Sequence, residues 1–366
     1  MSKREVTLSD VAEGAGVSLA AASRALNGKD GVRPEVRKHI QQIAHELNYR
    51  PNRAAQYLAG GRTRVIGLLL KTECLHGDVY AASLLEGFVN NAVDVDQSII
   101  LIGDSQAPNV SVRKLVRDGI IDGVVISAVM AGDRWVEELL DADFPVVLVG
   151  LHPKRADVCV IDVENTHSSA AVVGHMLDSG CERIAMIAGR EGRVDVQLRL
   201  VGYQIAHNKR GQQAPSNIVF QGDLSRRSGY ELAETILAAG VDGVFCANDE
   251  MAVGLHIALS ERGVRVPEDI SLAGFDRTAA LQFGAPDLTS VTQPFGQLAR
   301  TAMASLDAII DGQRPPSATI TPEIHWGNTT APHVDLDLAA AGSELESGLT
   351  DRYLQCELGT PHDCSP

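Results

Sequence analysis

The stretch TLSDVAEGAGVSLAAASRALN, residues 7–27, reads as two short helices joined by a turn. Thr7 followed by Asp10 makes a capping-box-like start, and Leu8, Val11, Ala12 and Ala15 then share one helical face. Gly16 breaks the pattern, and Ser18 can cap a second helix that runs to about Leu26. Two short helices around a three-residue turn containing glycine form a helix-turn-helix, which presents its second helix outward. That helix is nearly all small residues. Alanine favours helix but brings too little side chain to anchor a large core, so the pattern predicts that something approaches this backbone closely.

Beyond the polar segment KDGVR, Pro34 sits where a first helical turn tolerates it. Val36, Ile40, Ile43 and Leu47 then recur at helical spacing and supply the packing surface that the first two helices lack. In NYRPNRAAQYLAGGRT, residues 48–63, Pro51 can start a helix and Gly60-Gly61 must end it. A helix of about eight residues is marginal in water, so this segment reads as a linker that orders only when something packs on it.

Charge divides along the same line. Residues 1–64 hold 11 Lys and Arg against 6 Asp and Glu, a net +5, while the rest hold 21 basic and 41 acidic residues, a net −20. A basic head on an acidic body suits a polyanion bound by the head alone, although charge by itself does not separate this from fluctuation over a short segment.

From Val65 the texture changes to short apolar runs alternating with helical stretches: 65–70, 98–103, 123–127, 145–150, 159–163, 183–189, 243–248 and 270–276. Continuous apolar runs bounded by Gly, Asp or Pro suit strands buried on both faces of a parallel sheet, and the alternation implies right-handed βαβ units. The span from 65 to about 330 exceeds one open sheet. Two α/β lobes are expected, with a ligand cleft at the carboxyl ends of their strands.

No apolar run reaches the roughly 20 residues that span a bilayer, and the N-terminus has charge without a following apolar segment, so the chain reads as cytoplasmic. The six cysteines (74, 159, 181, 246, 356, 364) show no CxxC pair and no zinc-finger spacing, and read as mostly buried thiols with no metal or cofactor expected. No GxGxxG follows a strand, and GxxxxGK[ST] and GxSxG are absent. His152, His167, His175 and His256 lie in separate segments without a nucleophile partner, which speaks against an enzyme. The tail from His333 holds seven acids and one arginine and no sustained heptads, so it reads as mostly disordered and a dimer is favoured over a tetramer.

The segments DVAEGAGVS, SRALN and ELNYRPNRAAQYLAGG, with VFCANDEMAVGLHIAL, VPEDISLAGFD and LTSVTQPFGQLA further on, closely resemble the lactose-repressor and galactose-repressor family of bacterial transcription regulators. The resemblance covers residues 5–332. It implies an all-α helix-turn-helix DNA-binding head (1–50), a hinge helix and linker (51–63), and an α/β core (64–332), followed by the acidic tail (333–366). The core is expected as two doubly wound parallel-sheet lobes of periplasmic-binding-protein type that bind effector and dimerise. The implied function is a repressor that binds double-stranded, pseudo-palindromic operator DNA as a homodimer and is controlled by a small metabolite, most naturally a sugar. Whether effector releases or strengthens DNA binding stays open.

By position within these motifs, Ser18, Ser23 and Asn27 suit phosphate contacts, which fix register. Arg24 suits a guanine edge, or else a phosphate or solvent. The resemblance places Asn52, Arg53 and Ala55 against DNA and Tyr49 against its backbone, with Leu58 as a wedge between base pairs or, failing that, a linker core residue. Leu19, Ala20 and Ala21 stand where many relatives carry polar readers, so they offer only apolar contact, most naturally to thymine methyl groups.

In the cleft, Asn248 and Asp276 end apolar runs and match residues that bind effector hydroxyls or ring atoms, though either could instead cap a helix. Phe295 matches an apolar wall, and Arg199, in RLVGY, either reaches effector or holds loops together. Tyr80 is a candidate from a divergent segment that also carries His76 and Asp78. Gln197, Gly150 and Leu224 replace an arginine, an aspartate and a tryptophan of the lactose repressor, so a lactose-like effector is not expected. The competing reading is a two-lobed sugar receptor without DNA function, which needs an export signal and has no use for a basic head.

Overall fold

The computed structural model describes residues 6–26, 30–49, 62–70, 79–103, 108–127, 134–150, 158–278, 281 and 286–332. Asn27, Asn52, Arg53, Ala55 and Leu58, the segment 71–78 with His76 and Asp78, and the tail from 333 lie outside the described residues. The chain divides into two compact units, Met1–Thr63 and Arg64–Pro366.

In the first unit, α1 (Leu8–Gly14) starts with the full capping box: Asp10 N donates to Thr7 Oγ1 and Thr7 N donates to Asp10 Oδ2 at 2.7 Å. Gly16, at φ +64°, turns the chain out of it. Helix α2 (Leu19–Leu26) begins with Ala21 N donating to Ser18 Oγ at 3.2 Å. Pro34 opens α3 (Pro34–Glu46). Val11, Ala12, Ala15, Ala22, Ala25, Ile40 and Ala44 form the core, with Leu8, Val36, Ile43 and Tyr49 packed around it. Leu47 departs from expectation: it caps α3 rather than continuing it, its side chain is 38% exposed, and Ala44 fills the inner face instead.

The second unit alternates strands and helices as the apolar runs predict. Its first sheet holds β1 (Val65–Leu70), β2 (Ser98–Gly103), β3 (Gly123–Ser127), β4 (Val146–Val149) and β5 (Cys159–Val163), connected through α4 (Val79–Asp94), α5 (Pro108–Arg117) and α6 (Arg134–Leu140). Helices α7 (Asn165–Asp178) and α8 (Val194–Asn208) flank β6 (Ile184–Ala188). There follow β7 (Val219–Gln221), α9 (Arg226–Glu231), α10 (Ala233–Ala238), β8 (Gly243–Cys246), α11 (Asp249–Glu261), β9 (Ser271–Asp276) and β10 (Thr289–Thr292). The chain then returns through α12 (Phe295–Ile310) to β11 (Ala318–Ile320) and crosses again to β12 (Glu323–His325).

The strand orders are β11-β5-β4-β3-β1-β2 and β12-β10-β9-β8-β6-β7. All recorded pairings are parallel except β12 on β10. Three connections pass between the sheets: after Val163, at Gln293-Pro294 and at Thr321-Pro322. Strand ends fall short of the apolar runs where chemistry stops the ladder: Pro145 has no N–H to give, and Gly150 leaves β4 at φ +102°. The short strands β7, β10, β11 and β12 carry too few apolar residues to announce themselves.

Candidate functional site

The helix-turn-helix places its two faces clearly. Ala22 and Ala25 of α2 are buried against α1 and α3, while Ser18, Leu19, Ala20 and Arg24 are exposed and Ala21 and Ser23 half-buried. Arg24 Nε donates to the Ala20 carbonyl at 3.3 Å, which lays its side chain along the outer face. The carboxyl end of α2 is held by a residue the sequence reading did not single out. Arg37 of α3 donates from Nη1 to the Ala25 carbonyl at 2.9 Å, placing a cation against the negative end of the helix dipole. Tyr49 packs half-buried on the same core.

In the second unit a cleft opens beside the crossings, at the carboxyl ends of the strands. Its cavity volume is about 30 Å³. Tyr80 of α4 lines it, with Val149 and Gly150 at the end of β4, Asp162 and Val163 at the end of β5, Asn165, the segment Arg193–Val194–Asp195, Arg199, Gln293 and Leu298.

Arg199 is the centre of this arrangement. It is 3% exposed and donates from Nε to Asn165 Oδ1 at 3.0 Å and from Nη1 to the Ala247 carbonyl. It lies 3.4 Å from Asp276 Oδ1 and 3.8 Å from Asp195 Oδ2, with its guanidinium carbon 3.7 Å from the centre of the Phe275 ring. Its placement follows from RLVGY. A side chain at Gly202 would overlap the Thr166 carbonyl, so only glycine lets α8 lie this close to α7, and Tyr203 fixes the next turn by donating to the Ile184 carbonyl at 2.8 Å.

Arg193 grips Asp195 with two hydrogen bonds, 3.0 and 2.7 Å. Burial alone would raise the Asp195 carboxyl, but Arg193, then Arg199 and the Val196 backbone outweigh it and hold it well below the usual carboxylate range. Asp162 lacks such a partner. Burial, with Asp195 and Glu164 nearby, pushes it up to about 7 against a hydrogen bond from Val163 N and the Arg199 guanidinium. Burial, with Asp195 and Asp276 nearby, raises the Tyr80 phenol. Tyr80 packs edge-on to Phe295 with ring centres 5.4 Å apart.

Of the effector candidates, Tyr80 and Arg199 line the cleft directly. Asp276 stands behind it at φ +111°, a strained backbone held because Gln293 Nε2 donates to its Oδ1 at 2.7 Å and Gln293 N to its carbonyl at 3.1 Å. Phe295 supports Tyr80 from behind. Asn248 adopts the capping alternative: Met251 N donates to its Oδ1, and its Nδ2 donates to the Leu224 carbonyl. Gln197 is half-buried on α8 and is not among the lining residues. Behind Asp276, Asp249 accepts from Ser290 Oγ at 2.7 Å and from Arg277 N; burial, then Asp276, raises its carboxyl well above the usual range.

The sequence reading missed Asp162, Asn165, Arg193 and Asp195. Asp162 carried a signal like that of Asp276, a polar residue one place from the end of the apolar run CVIDV, and Arg193-x-Asp195 opens the helix that bears RLVGY.

Residues 7–52 match the family described as bacterial regulatory proteins, lacI family, and residues 173–330 match a periplasmic binding protein-like domain. The chain carries a lacI-family DNA-binding domain. Among its relatives, catabolite control protein A of Priestia megaterium is 29% identical over 306 residues, 82% of this chain and 91% of that protein. The lac repressor dimer bound to operator and an anti-inducer aligns with 90% of this chain and all of its own at 28% identity and a TM-score of 0.76. The regulator CelR in complex with cellobiose aligns with 89% of this chain and all of its own at 27% identity and a TM-score of 0.68. This chain is a transcriptional regulator with a lacI-family helical DNA-binding head and two parallel-sheet lobes. No helix among the described residues is long and apolar enough to cross a membrane.

Proposed function

We propose that this regulator is a repressor that binds a pseudo-palindromic operator as a homodimer, with α2 of each head in the major groove and a sugar or sugar derivative in the cleft controlling affinity. The observation that carries the reading is the two-faced α2: one face is locked by Ala22, Ala25 and Arg37, and the other offers Ser18, Leu19, Ala20 and Arg24 to an approaching surface. Small residues let the backbone come close. Residues 1–50 serve as the head, 51–63 as hinge, 64–332 as core and 333–366 as an accessory tail.

Ser18, Ser23, Asn27 and Tyr49 take phosphate contacts, Arg24 reads a base edge, and Leu19, Ala20 and Ala21 make apolar contacts. Asn52, Arg53, Ala55 and Leu58 engage the minor groove, Leu58 as the wedge. The relatives support these roles, since one is a repressor dimer on operator and another a regulator holding cellobiose. Effector meets Tyr80 and Arg199 first, with Asp276 and Phe295 behind them and Gln197 and Asn248 in support. The reading assigns no catalytic step to the chain and places it in the cytoplasm, where bacterial operators are.

The homodimer has its own support. Val89 and Val93 of α4, 47% and 76% exposed, lie with Val95 and with Leu101 of the edge strand β2 on apolar surface of the first lobe that a partner copy would cover. Sedimentation of the full chain on a duplex with two symmetric half-sites should give two chains per duplex. One chain per duplex at saturation would refute the dimeric reading.

A further inference from the structure

Two guanidiniums and two carboxylates line the cleft, with Asp276 behind them: Arg193 is committed to Asp195 through two hydrogen bonds, and Arg199 lies against Asp276. Asp162 is left over. Its Oδ1 accepts from Val163 N at 2.7 Å and from Asn165 Nδ2 at 3.4 Å, while its Oδ2 has no hydrogen-bond partner among the described residues. That free oxygen belongs to a residue lining the cleft, beside the apolar walls of Val149, Val163, Val194 and Leu298. A buried carboxylate is costly unless something neutralises it, and both arginines that line the cleft among the described residues are already engaged.

We propose that the effector carries a basic nitrogen, a protonated amine on a polyol of sugar size, which seats against Asp162. The inference rests on the cleft being the effector site. The ammonium donates to Asp162 Oδ2, the carbon skeleton packs on the valines, and hydroxyls meet the Arg193–Asp195 pair and Tyr80. An anionic sugar phosphate would set negative charge beside Asp162, and a neutral hexose would give its Oδ2 no charge-assisted donor. Acylating the amine removes its charge while keeping the ring.

Calorimetry and thermal shift on the full chain test this with D-glucosamine, D-galactosamine, the parent hexoses, N-acetyl-D-glucosamine and D-glucose 6-phosphate. An amino sugar should bind about 10- to 100-fold more tightly than its parent hexose and its N-acetyl form, the factor carried by one charge-assisted hydrogen bond. Asp162→Asn keeps the shape and the acceptor for Val163 N and should erase that preference. A hexose or the sugar phosphate binding as tightly as the amine overturns the amine proposal and leaves the cleft as effector site. Amine preference unchanged in Asp162→Asn also overturns it. No binding by any member of the panel counts against both the proposal and the sugar reading of the cleft, whatever the chain does on DNA.

Discussion

Arg37 on α3 donates to the carbonyl of Ala25, at 2.9 Å, and so fixes the carboxyl end of α2. The contact joins a cation to one of the carbonyls that a helix end leaves unsatisfied. It makes the angle of α2 depend on a residue ten positions downstream of the helix-turn-helix stretch. Replacing Arg37 by Ala should lower the stability of the head by about 1 kcal/mol and weaken operator binding on specific and scrambled duplexes alike. Because Arg37 acts through α2, the dependence of binding on salt should keep its slope. A slope smaller by about one would show instead a direct phosphate contact.

Arg24 and Ala20 separate reading from support. Arg24→Ala should relax discrimination at one base position by about 1–3 kcal/mol, seen by binding to duplexes substituted at each half-site position. Ala20→Gly should weaken all duplexes together by destabilising the helix by about 1 kcal/mol. Loss of discrimination in Ala20→Gly, with none in Arg24→Ala, would reverse these assignments.

Much of this was legible in the sequence for physical reasons. The capping box at Thr7 and Asp10, the Ser18 cap, the glycine at 16 and the proline at 34 act within a few residues, so local pattern suffices. Eight strands, seven of them buried and the eighth the edge strand β2, announced themselves as apolar runs. The cleft was less legible because its partners come from distant segments: Arg199 reaches Asn165 across 34 positions and Ala247 across 48. Asn248 shows the limit of the strand-end rule. A polar residue that ends a strand and begins a helix satisfies both descriptions, and only the hydrogen bonds to Met251 and Leu224 decide.

Gly202 is a steric requirement of the cleft. Gly202→Ala drives a methyl into the Thr166 carbonyl, so α8 must move away from α7, taking Arg199 from Asn165. Overpacking of this kind costs about 1–3 kcal/mol. Urea denaturation should show that loss, and effector binding should weaken with it. Unchanged stability would mean that the two helices are not in the contact described.

Asp162 and Asp195 give folding opposite responses to pH. Asp162 is held at about 7, above the roughly 3.9 of an unfolded aspartate, so the folded chain keeps a proton the unfolded chain has lost. Its effect is a fall in stability as pH rises from about 4 to 7. Asp195 is held low, so its contribution is present above about pH 4 and is lost as pH drops below that. Denaturation from about pH 5 to 8 should show the native chain losing more stability than Asp162→Asn. Parallel curves would remove Asp162 from the account.

The central claim is sequence-specific binding of DNA by the basic head. Fluorescence anisotropy of the full chain on a pseudo-palindromic duplex from its own promoter, against a scrambled duplex of equal length, tests it most directly across about 50–200 mM salt. The account predicts binding at least about a thousandfold tighter to the palindrome, weakening steeply with salt. Equal affinity for the two duplexes, or no binding to either, would contradict it.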